Sequence, residues 1–204
     1  MSNFTVFLDA SVLYPAPLRD LLLELAVADL YRAKWPDVVH EEWITAVLRG
    51  REDLTRAQLE RTRDLMNMHV RDALVSDFQQ LIEILDLPDP NDRHVLAAAI
   101  KGRADLIVAF NLKDFPADKL DHWGIQAQHP DEFLTNQFHL SQPAFLQAVK
   151  TVRLRLKGDD LLQHPTATLV EAHIAKAIRV HHPPKRIRAL GGLDSHPLAG
   201  GYCR

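Results

Sequence analysis

Residues 87–116 read LPDPNDRHVLAAAIKGRADLIVAFNLKDFP, and this stretch decides the fold. Its apolar runs, 95–100 and 106–109, predict a helix and a strand that are each buried on more than one face. Such a pair is typical of a helix covering a mainly parallel sheet, so we predict an α/β protein. In these sheets ligands bind beyond the carboxyl ends of the strands, where the acidic loop after Ala109 should lie.

The composition fits one domain of ordinary size. The chain has 204 residues, a formal net charge of −3 and one cysteine, Cys203, so it can bury a substantial core and cannot form an internal disulfide. The sequence has no long apolar run and opens on a strand-like segment, so we expect a cytoplasmic protein that does not span a membrane. It has no GxxxxGK[ST] or GxGxxG loop, so no nucleotide-dependent activity is indicated.

The rest of the chain predicts alternating strands and helices, followed by helices alone. Upstream, the predicted elements are a buried strand over residues 3–8, a helix from 18 to about 31, a candidate strand at 38–39, a helix with Glu41 and Glu42 in its first turn that stops at Gly50, and a capped helix over 56–74. Downstream, they are a helix over 92–101 that stops at Gly102, a strand over 106–109, a last strand near 125–127 and a helix over 130–136. The segment 81–85 is ambiguous.

From Ser141 onwards the apolar spacing predicts only helices. Phe145, Leu146, Val149, Val152 and Leu156 share one helical face, and a second helix is predicted over 168–178. The last residues are rich in proline and glycine and lack periodicity, which indicates a flexible tail. We therefore predict three parts: a domain over 1–138, a helical extension over 139–182 and a tail over 183–204.

Four acidic positions fall where a parallel sheet would bring them together: Asp9 after the first strand, Glu41 or Glu42, Asp92 and Asp114. For each one alone we favour a structural role in helix capping, because Asp and Glu complement the exposed amides of a helix start. As a group they would repel one another unless a proton or a cation neutralised them. Their hard oxygen atoms suit Mg²⁺ or Mn²⁺, which can promote phosphodiester cleavage.

The segments VFLDASVL, LPDPNDRHVLAAAI and ADLIVAFNLKDFP resemble the PIN-domain family. The resemblance covers residues from about 4 to 180 and is nearest to bacterial PIN proteins of the VapC-toxin type that carry a helical C-terminal extension. It implies a three-layer fold with a central, mainly parallel sheet flanked by helices. It also implies a metal-dependent ribonuclease whose acidic residues bind one or two Mg²⁺ or Mn²⁺ ions.

The resemblance also implies which residues form the site. Asp9, Glu42 and Asp92 match the first three acids of the family. The fourth position, shortly after the strand that ends near residue 109, leaves Asn111 and Asp114 as candidates. These five residues are the predicted metal ligands, and the four acids among them are the predicted catalytic residues.

The chain departs from the family's pattern at Ala109, where relatives usually carry a threonine or serine. A hydroxyl group that would orient the fourth ligand or a water is therefore missing. The implied function is an endoribonuclease that acts as the toxin of a type II toxin–antitoxin pair, with RNA as its substrate, a small antitoxin protein as its partner and a homodimer as a possible assembly. The alternatives are a catalytically weak module that binds RNA or protein, and a structure-specific DNA nuclease.

Several neighbouring residues have both a functional and a structural interpretation. Asp89 and Asn91 could reach the metal, but we favour a turn before the helix. Arg93 could hold a substrate phosphate or lie in solvent, and Lys113 raises the same question. His94 could carry a proton, but we favour a hydrogen-bonding role. The arginines between residues 49 and 63 alternate with acids, which favours a solvated helical face over an RNA path.

Overall fold

The structure is a computed structural model that describes residues 4–155. A four-stranded sheet with the order β2-β1-β3-β4 forms its centre, and every pair of neighbouring strands is parallel. This confirms the predicted α/β fold with a parallel sheet flanked by helices. The strands are β1 (Thr5–Leu8), β2 (Arg32–Lys34), β3 (Leu106–Val108) and β4 (Gln126–Gln128).

Helices connect the strands and cover the sheet, as parallel pairing requires. In chain order they are α1 (Ala10–Leu13), α2 (Ala16–Val27), α3 (Asp37–Gly50), α4 (Arg56–His69), α5 (Gln79–Ile82), α6 (Arg93–Lys101), α7 (Ala117–Leu120), α8 (Pro130–Leu140) and α9 (Gln142–Arg155). Short 3₁₀ turns lie at Pro90–Asp92, Leu112–Asp114 and Asp121–Trp123.

The two central strands are buried over their whole length because they have a neighbour on each side and helices above and below. Phe7 of β1 pairs with Ile107 of β3. Beyond the last paired residues, the backbone N–H of Asp9 still donates to the carbonyl of Val108 at 3.1 Å. The carboxyl ends of β1 and β3 therefore meet, and Asp9 lies at that junction.

The predicted second strand at 38–39 was wrong. β2 lies earlier, at Arg32–Lys34, and Val38 and Val39 belong to α3. β2 gives little sequence signal because only its central residue, Ala33, is buried and none of its residues is β-branched. Because α3 begins at Asp37, Glu41 and Glu42 lie in its second turn and not, as predicted, in its first.

The predicted helix over 56–74 has the expected start but a different end. Thr55 and Gln58 form the predicted capping box, whereas the helix ends at His69. The chain then runs beside Trp35, whose backbone N–H donates to the carbonyl of Ala73 at 3.0 Å. This backbone bond fixes an extended conformation there, so Ala73 is buried without being helical, whereas Leu74 is half exposed. The ambiguous segment 81–85 overlaps only the end of the short helix α5, which begins at Gln79.

Helix α9 packs on α2 and α8 through the buried side chains of Phe145, Ala148 and Val152. The prediction for this helix was partly wrong, because Leu146 is 49% exposed. The described residues do not include the predicted second helix over 168–178, the predicted tail over 183–204 or Cys203. The division into domains stays a prediction. Among residues 4–155, no helix is long and apolar enough to cross a membrane.

Candidate active site

Asp9 is placed by the end of β1 and caps helix α1. Its carboxylate accepts from the backbone N–H of Ser11 at 3.0 Å and from the Ser11 hydroxyl at 2.5 Å. The Ser11 hydroxyl oxygen in turn accepts from the N–H of Phe110 at 3.3 Å. Ser11 thus joins the loops that follow β1 and β3. Ser11 was not among the site residues predicted from the sequence, although an aspartate two positions before a serine is a common capping turn.

The electrostatic environment of Asp9 opposes its negative charge. Burial raises the pKa of its carboxyl group, and the hydrogen bonds from Ser11 offset only part of that effect. The charge of Glu42 raises the pKa of Asp9 further. A buried carboxylate that is repelled by a second carboxylate is stabilised by a proton or by a cation.

Asp92 ends the 3₁₀ turn that leads into α6. Its pKa is raised to about 6, first by burial and then by the charges of Asp9, Asp114 and Asp89. The favoured turn interpretation of Asp89 and Asn91 is confirmed, because the Asp89 carboxylate accepts from the N–H of Asn91 at 2.8 Å. The negative charges of Asp9, Asp114 and Asp89 therefore all act on Asp92.

Asp114 and Asn111 belong to the loop after β3. The side-chain amide of Asn111 donates to the carboxylate of Asp114, so Asn111 orients Asp114. The charge of Asp114 raises the pKa of Asp92. Of the two candidates for the fourth position, Asp114 is the one that contributes charge to the cluster.

The structure shows which of the two glutamates, Glu41 or Glu42, lies in the acidic cluster, a choice that the sequence left open. An oxygen of the Glu42 carboxylate lies 3.0 Å from Nε2 of His94, and its charge reaches Asp9. Glu41 points elsewhere and accepts from Arg56 at 2.9 Å, with Arg63 at 3.9 Å. The hydrogen bond from Arg56 lowers the pKa of Glu41. Glu42 is therefore the glutamate of the acidic cluster.

His94 bridges two parts of the cluster. Its Nδ1 lies 2.6 Å from the carbonyl oxygen of Asn91, and its Nε2 faces Glu42. Burial by itself lowers the pKa of His94, but the hydrogen bond and charge of Glu42 outweigh burial, so the net pKa is raised. The hydrogen-bonding role favoured from the sequence is confirmed, while the partner, Glu42, was not predictable from spacing.

The remaining charged candidates lie at the periphery. Nη2 of Arg93 is 4.0 Å from a carboxylate oxygen of Asp86, and Lys113 is exposed. The arginines of the α3–α4 region form ion pairs at the surface, which supports the predicted solvated face; the pairs are Arg51–Asp53, Arg56–Glu41 and Arg63–Asp64. Ala109, the departure from the family pattern, is 1% exposed, and its N–H donates to the carbonyl of Gln128.

The chemistry of the cluster fits a divalent cation, because neighbouring carboxylates raise the pKa of Asp9 and of Asp92 and the cluster offers hard oxygen ligands. Within residues 4–155, no three His, Cys, Asp or Glu side chains are gathered closely enough to hold a metal ion between them. In this structure the carboxylates have protein partners: Asp9 accepts hydrogen bonds from Ser11, Asp114 accepts one from Asn111, and Glu42 lies 3.0 Å from Nε2 of His94.

The fold and the acidic cluster define the class: an α/β domain with a parallel sheet and carboxylates at the carboxyl ends of its central strands, consistent with a PIN-like fold. Comparison with curated proteins agrees with this class. The chain is similar to a protein of Mycobacterium tuberculosis strain H37Rv named "Putative ribonuclease VapC50", with 38% identity over 116 residues. The match covers 55% of this chain and 56% of that protein, so it spans about half the length of the relative. No family model and no solved structure matches the chain.

Proposed function

We propose that the protein is a metal-dependent endoribonuclease that hydrolyses RNA phosphodiester bonds at the acidic cluster. The observation that carries the proposal is that the charges of three carboxylates, Asp9, Asp114 and Asp89, act on Asp92, whose pKa burial and these charges together raise to about 6. Capping alone explains each acid separately but not their accumulation at one point. The similarity to a protein named as a ribonuclease supports RNA as the substrate.

In this proposal Asp9, Glu42, Asp92 and Asp114 hold the metal, and Asn111 orients Asp114. Bound there, Mg²⁺ or Mn²⁺ would lower the pKa of a coordinated water and offset charge on the scissile phosphate. Asp9 and Asp92 come from rigid elements, the end of β1 and the start of α6, and so keep the carboxylates in place. Ser11 holds the Asp9 carboxylate by two hydrogen bonds and links it to the β3 loop.

The test is cleavage of RNA by purified full-length variants with Mg²⁺ or Mn²⁺. We expect Asp9→Asn, Glu42→Gln and Asp92→Asn each to lower the rate by at least about 100-fold, because each removes a charged ligand. Glu41→Gln is a matched control next to Glu42 in sequence, and its rate should stay within about two-fold. If Asp92→Asn cuts RNA as fast as the parent, the assignment is wrong.

We also propose that the protein is the toxin of a toxin–antitoxin pair, inhibited by a small partner protein. The name of the similar protein supports this proposal. Expression of the chain should arrest growth, and co-expression with the product of a small adjacent reading frame should relieve the arrest. Arrest by the Asp92→Asn variant as strong as that by the parent would contradict a toxic ribonuclease.

The contacts of the acids and Ala109 favour one alternative, a catalytically weak module that binds RNA. Asp9 and Asp114 are hydrogen-bonded to protein donors, and Glu42 lies 3.0 Å from Nε2 of His94. The loop after β3 also lacks a hydroxyl at position 109. Calorimetric titration with Mn²⁺ distinguishes the two functions. If the protein still binds RNA but binds no Mn²⁺ at millimolar concentrations, the module is favoured. The third alternative, a DNA nuclease, is tested by comparing cleavage of DNA and RNA side by side. Faster cleavage of DNA would indicate that function.

A further inference from the structure

Strand β4 forms an edge of the sheet, and no strand pairs with its outer side in the described part of the chain. The N–H of Gln126 donates to the carbonyl of Asp105 at 3.1 Å. The carbonyl of Gln128 accepts from the N–H of Ala109 at 3.2 Å, so both glutamines pair towards β3. Because successive residues of a strand turn their backbone groups to opposite sides, the N–H and carbonyl of Ala127 point outward. An edge of this kind can pair with a further strand.

A groove of about 310 Å³ opens beside this edge, and Ala127 is part of its lining. The buried side chains that line it are apolar, namely Phe115, Leu120 and Ile125. Two exposed acids, Asp121 and Glu132, also line the groove. Neither carboxylate has an ion pair or a hydrogen bond with another residue among 4–155. The groove therefore combines an apolar surface and two unpaired negative charges with the outward backbone groups of β4.

We propose that residues 185–190 of this chain, KRIRAL, bind in this groove and pair with the outer side of β4. They belong to the predicted tail and lie outside the described residues. Residues 156–184 connect them to α9. Even with the predicted helix over 168–178, this connection can extend to about 75 Å, roughly twice the diameter of a domain of this size. The connection also holds the segment at an effective concentration of about a millimolar, so even a weak contact is populated.

The charge and the pattern of the segment both fit the groove. It contains three cations, Lys185, Arg186 and Arg188, and no acid, which complements the two unpaired carboxylates. Charged and apolar residues alternate from Arg186 to Ala189, which is the period of a strand. An extended segment can therefore turn Ile187 to the apolar lining while its backbone pairs with the edge. The long arginine side chains can reach acids beside the groove. Pairing of this kind needs neither a metal nor RNA.

Hydrogen exchange at the Ala127 amide, followed by NMR in the full-length protein, tests this pairing because the outward N–H is protected only when a strand covers it. Reversing two tail charges, by Arg186→Glu with Arg188→Glu, should speed this exchange by at least about 10-fold. Reversing the groove, by Asp121→Lys with Glu132→Lys, should have the same effect. All four substitutions together restore the attraction and the net charge of the parent, so exchange should return to within about three-fold of the parent rate.

Glu52→Lys with Glu83→Lys is the matched control, since both acids are exposed and neither lines the groove. This variant should leave exchange at Ala127 unchanged, and slow exchange at Ile107 of β3 shows that each variant keeps its sheet. Equal exchange at Ala127 in the parent and the arginine variant would overturn the proposal and leave the groove to a separate partner protein. Failure of the four combined substitutions to restore slow exchange would also overturn it. Slow exchange that is lost on dilution would assign the groove to a second copy of the chain, which contradicts binding within one chain.

Discussion

The negative charge of Asp92 is unfavourable in the folded protein. Its pKa in the folded protein is raised from 3.8 to about 6, so the folded state binds a proton more tightly than the unfolded state does. A raised pKa contributes stability that is complete below the unfolded value and is lost as the pH rises through the folded value. At pH 7 the metal-free protein therefore carries the full electrostatic penalty of this group.

We expect Asp92→Asn to stabilise the metal-free protein at pH 7 by about 1 kcal/mol, after the penalty is reduced for solvent screening of a partly exposed group. The gain should shrink as the pH falls from 6 and vanish below about pH 4, where the parent carboxyl group is protonated in both states. Urea unfolding of both proteins across this range measures the difference.

Asp86→Asn is the control, because we expect no gain in stability from this variant. The Asp86 carboxylate is paired with Lys119, and the hydrogen bond from that lysine lowers the pKa of Asp86. Neutralising it should therefore bring no gain in stability at pH 7. A stabilisation equal to that of Asp92→Asn would mean that lower surface charge, and not relief of repulsion in the cluster, is the cause.

The sequence was sufficient to group Asp9, Asp92 and Asp114, because Asp9 and Asp114 follow the ends of neighbouring parallel strands and Asp92 begins the helix that leads into the second of them. It could not choose between Glu41 and Glu42, because neighbouring residues on a helix point about 100° apart and the choice depends on how α3 is rotated against the core. The contacts of Ser11 and His94 with the acids were missed for a related reason. They depend on side-chain orientation, which spacing along the chain does not determine.

At the level of single elements, the end of α6 is crowded around Gly102. A Cβ atom on Gly102 would lie 3.1 Å from the carbonyl oxygen of Ala98 and 3.1 Å from Cγ2 of Val75. We expect Gly102→Ala to destabilise the protein by about 1 kcal/mol, because the backbone oxygen cannot move without disturbing the helix. The midpoint of urea unfolding measures the effect.

The last residue of α3, Gly50, gives the matched comparison. A Cβ atom there would lie 3.4 Å from the Tyr14 hydroxyl oxygen, an ordinary contact. Alanine also has the higher helix propensity, so Gly50→Ala should be neutral or stabilising by up to about 1 kcal/mol. Equal destabilisation by both alanines would show that the crowding around Gly102 is not the cause.

A buried polar network joins α3 to α4. The side-chain oxygen of Asn67 accepts from Nε1 of Trp35 at 2.8 Å and lies 3.1 Å from Nε2 of His40. Nδ1 of His40 accepts from Nε1 of Trp43 at 3.0 Å, which places the proton of a neutral ring on Nε2. Burial lowers the pKa of His40, in keeping with a neutral ring. One asparagine oxygen therefore satisfies two donors.

We expect Asn67→Ala to destabilise the protein by about 2–4 kcal/mol, because it leaves two buried N–H groups without an acceptor. Asn136→Ala is the control, since Asn136 makes one 3.3 Å side-chain bond at the surface. Its effect should stay within about 0.5 kcal/mol. Comparable losses in the two variants would contradict the importance of the buried acceptor.

Elements with a clear apolar period were predictable, and those that tertiary contacts define were not. β3 and α6 were predicted within one residue and β1 within two, because their sides are buried and the ends of β1 and α6 are marked by Asp9 and Gly102. β2 has only Ala33 in the core, so its strand conformation comes from pairing with β1 and not from its own composition. The end of α4 likewise depends on pairing between Trp35 and residues 73–75.

For the molecule as a whole, α9 ties the predicted extension to the domain. The sequence places a boundary between residues 138 and 139, yet the ring of Phe138 packs edge-on against that of Phe145, with centroids 5.6 Å apart. Arg155 at the end of α9 pairs with Glu24 of α2 at 2.9 Å. The change from alternating strands to helices alone reveals a change of architecture, but it gives no information on whether the two parts share a core.

Phe145 tests whether the core is shared, because it is fully buried while its neighbour Leu146 is 49% exposed. If α9 belongs to the core, Phe145→Ala should destabilise the whole protein by about 3–5 kcal/mol in one cooperative unfolding transition. Leu146→Ala should change stability by less than about 0.5 kcal/mol. Unfolding followed by tryptophan fluorescence reports on Trp35 and Trp43, which lie in the domain and not in α9. An unchanged fluorescence midpoint in Phe145→Ala would mean that the helix unfolds independently and that the predicted boundary divides two separate units.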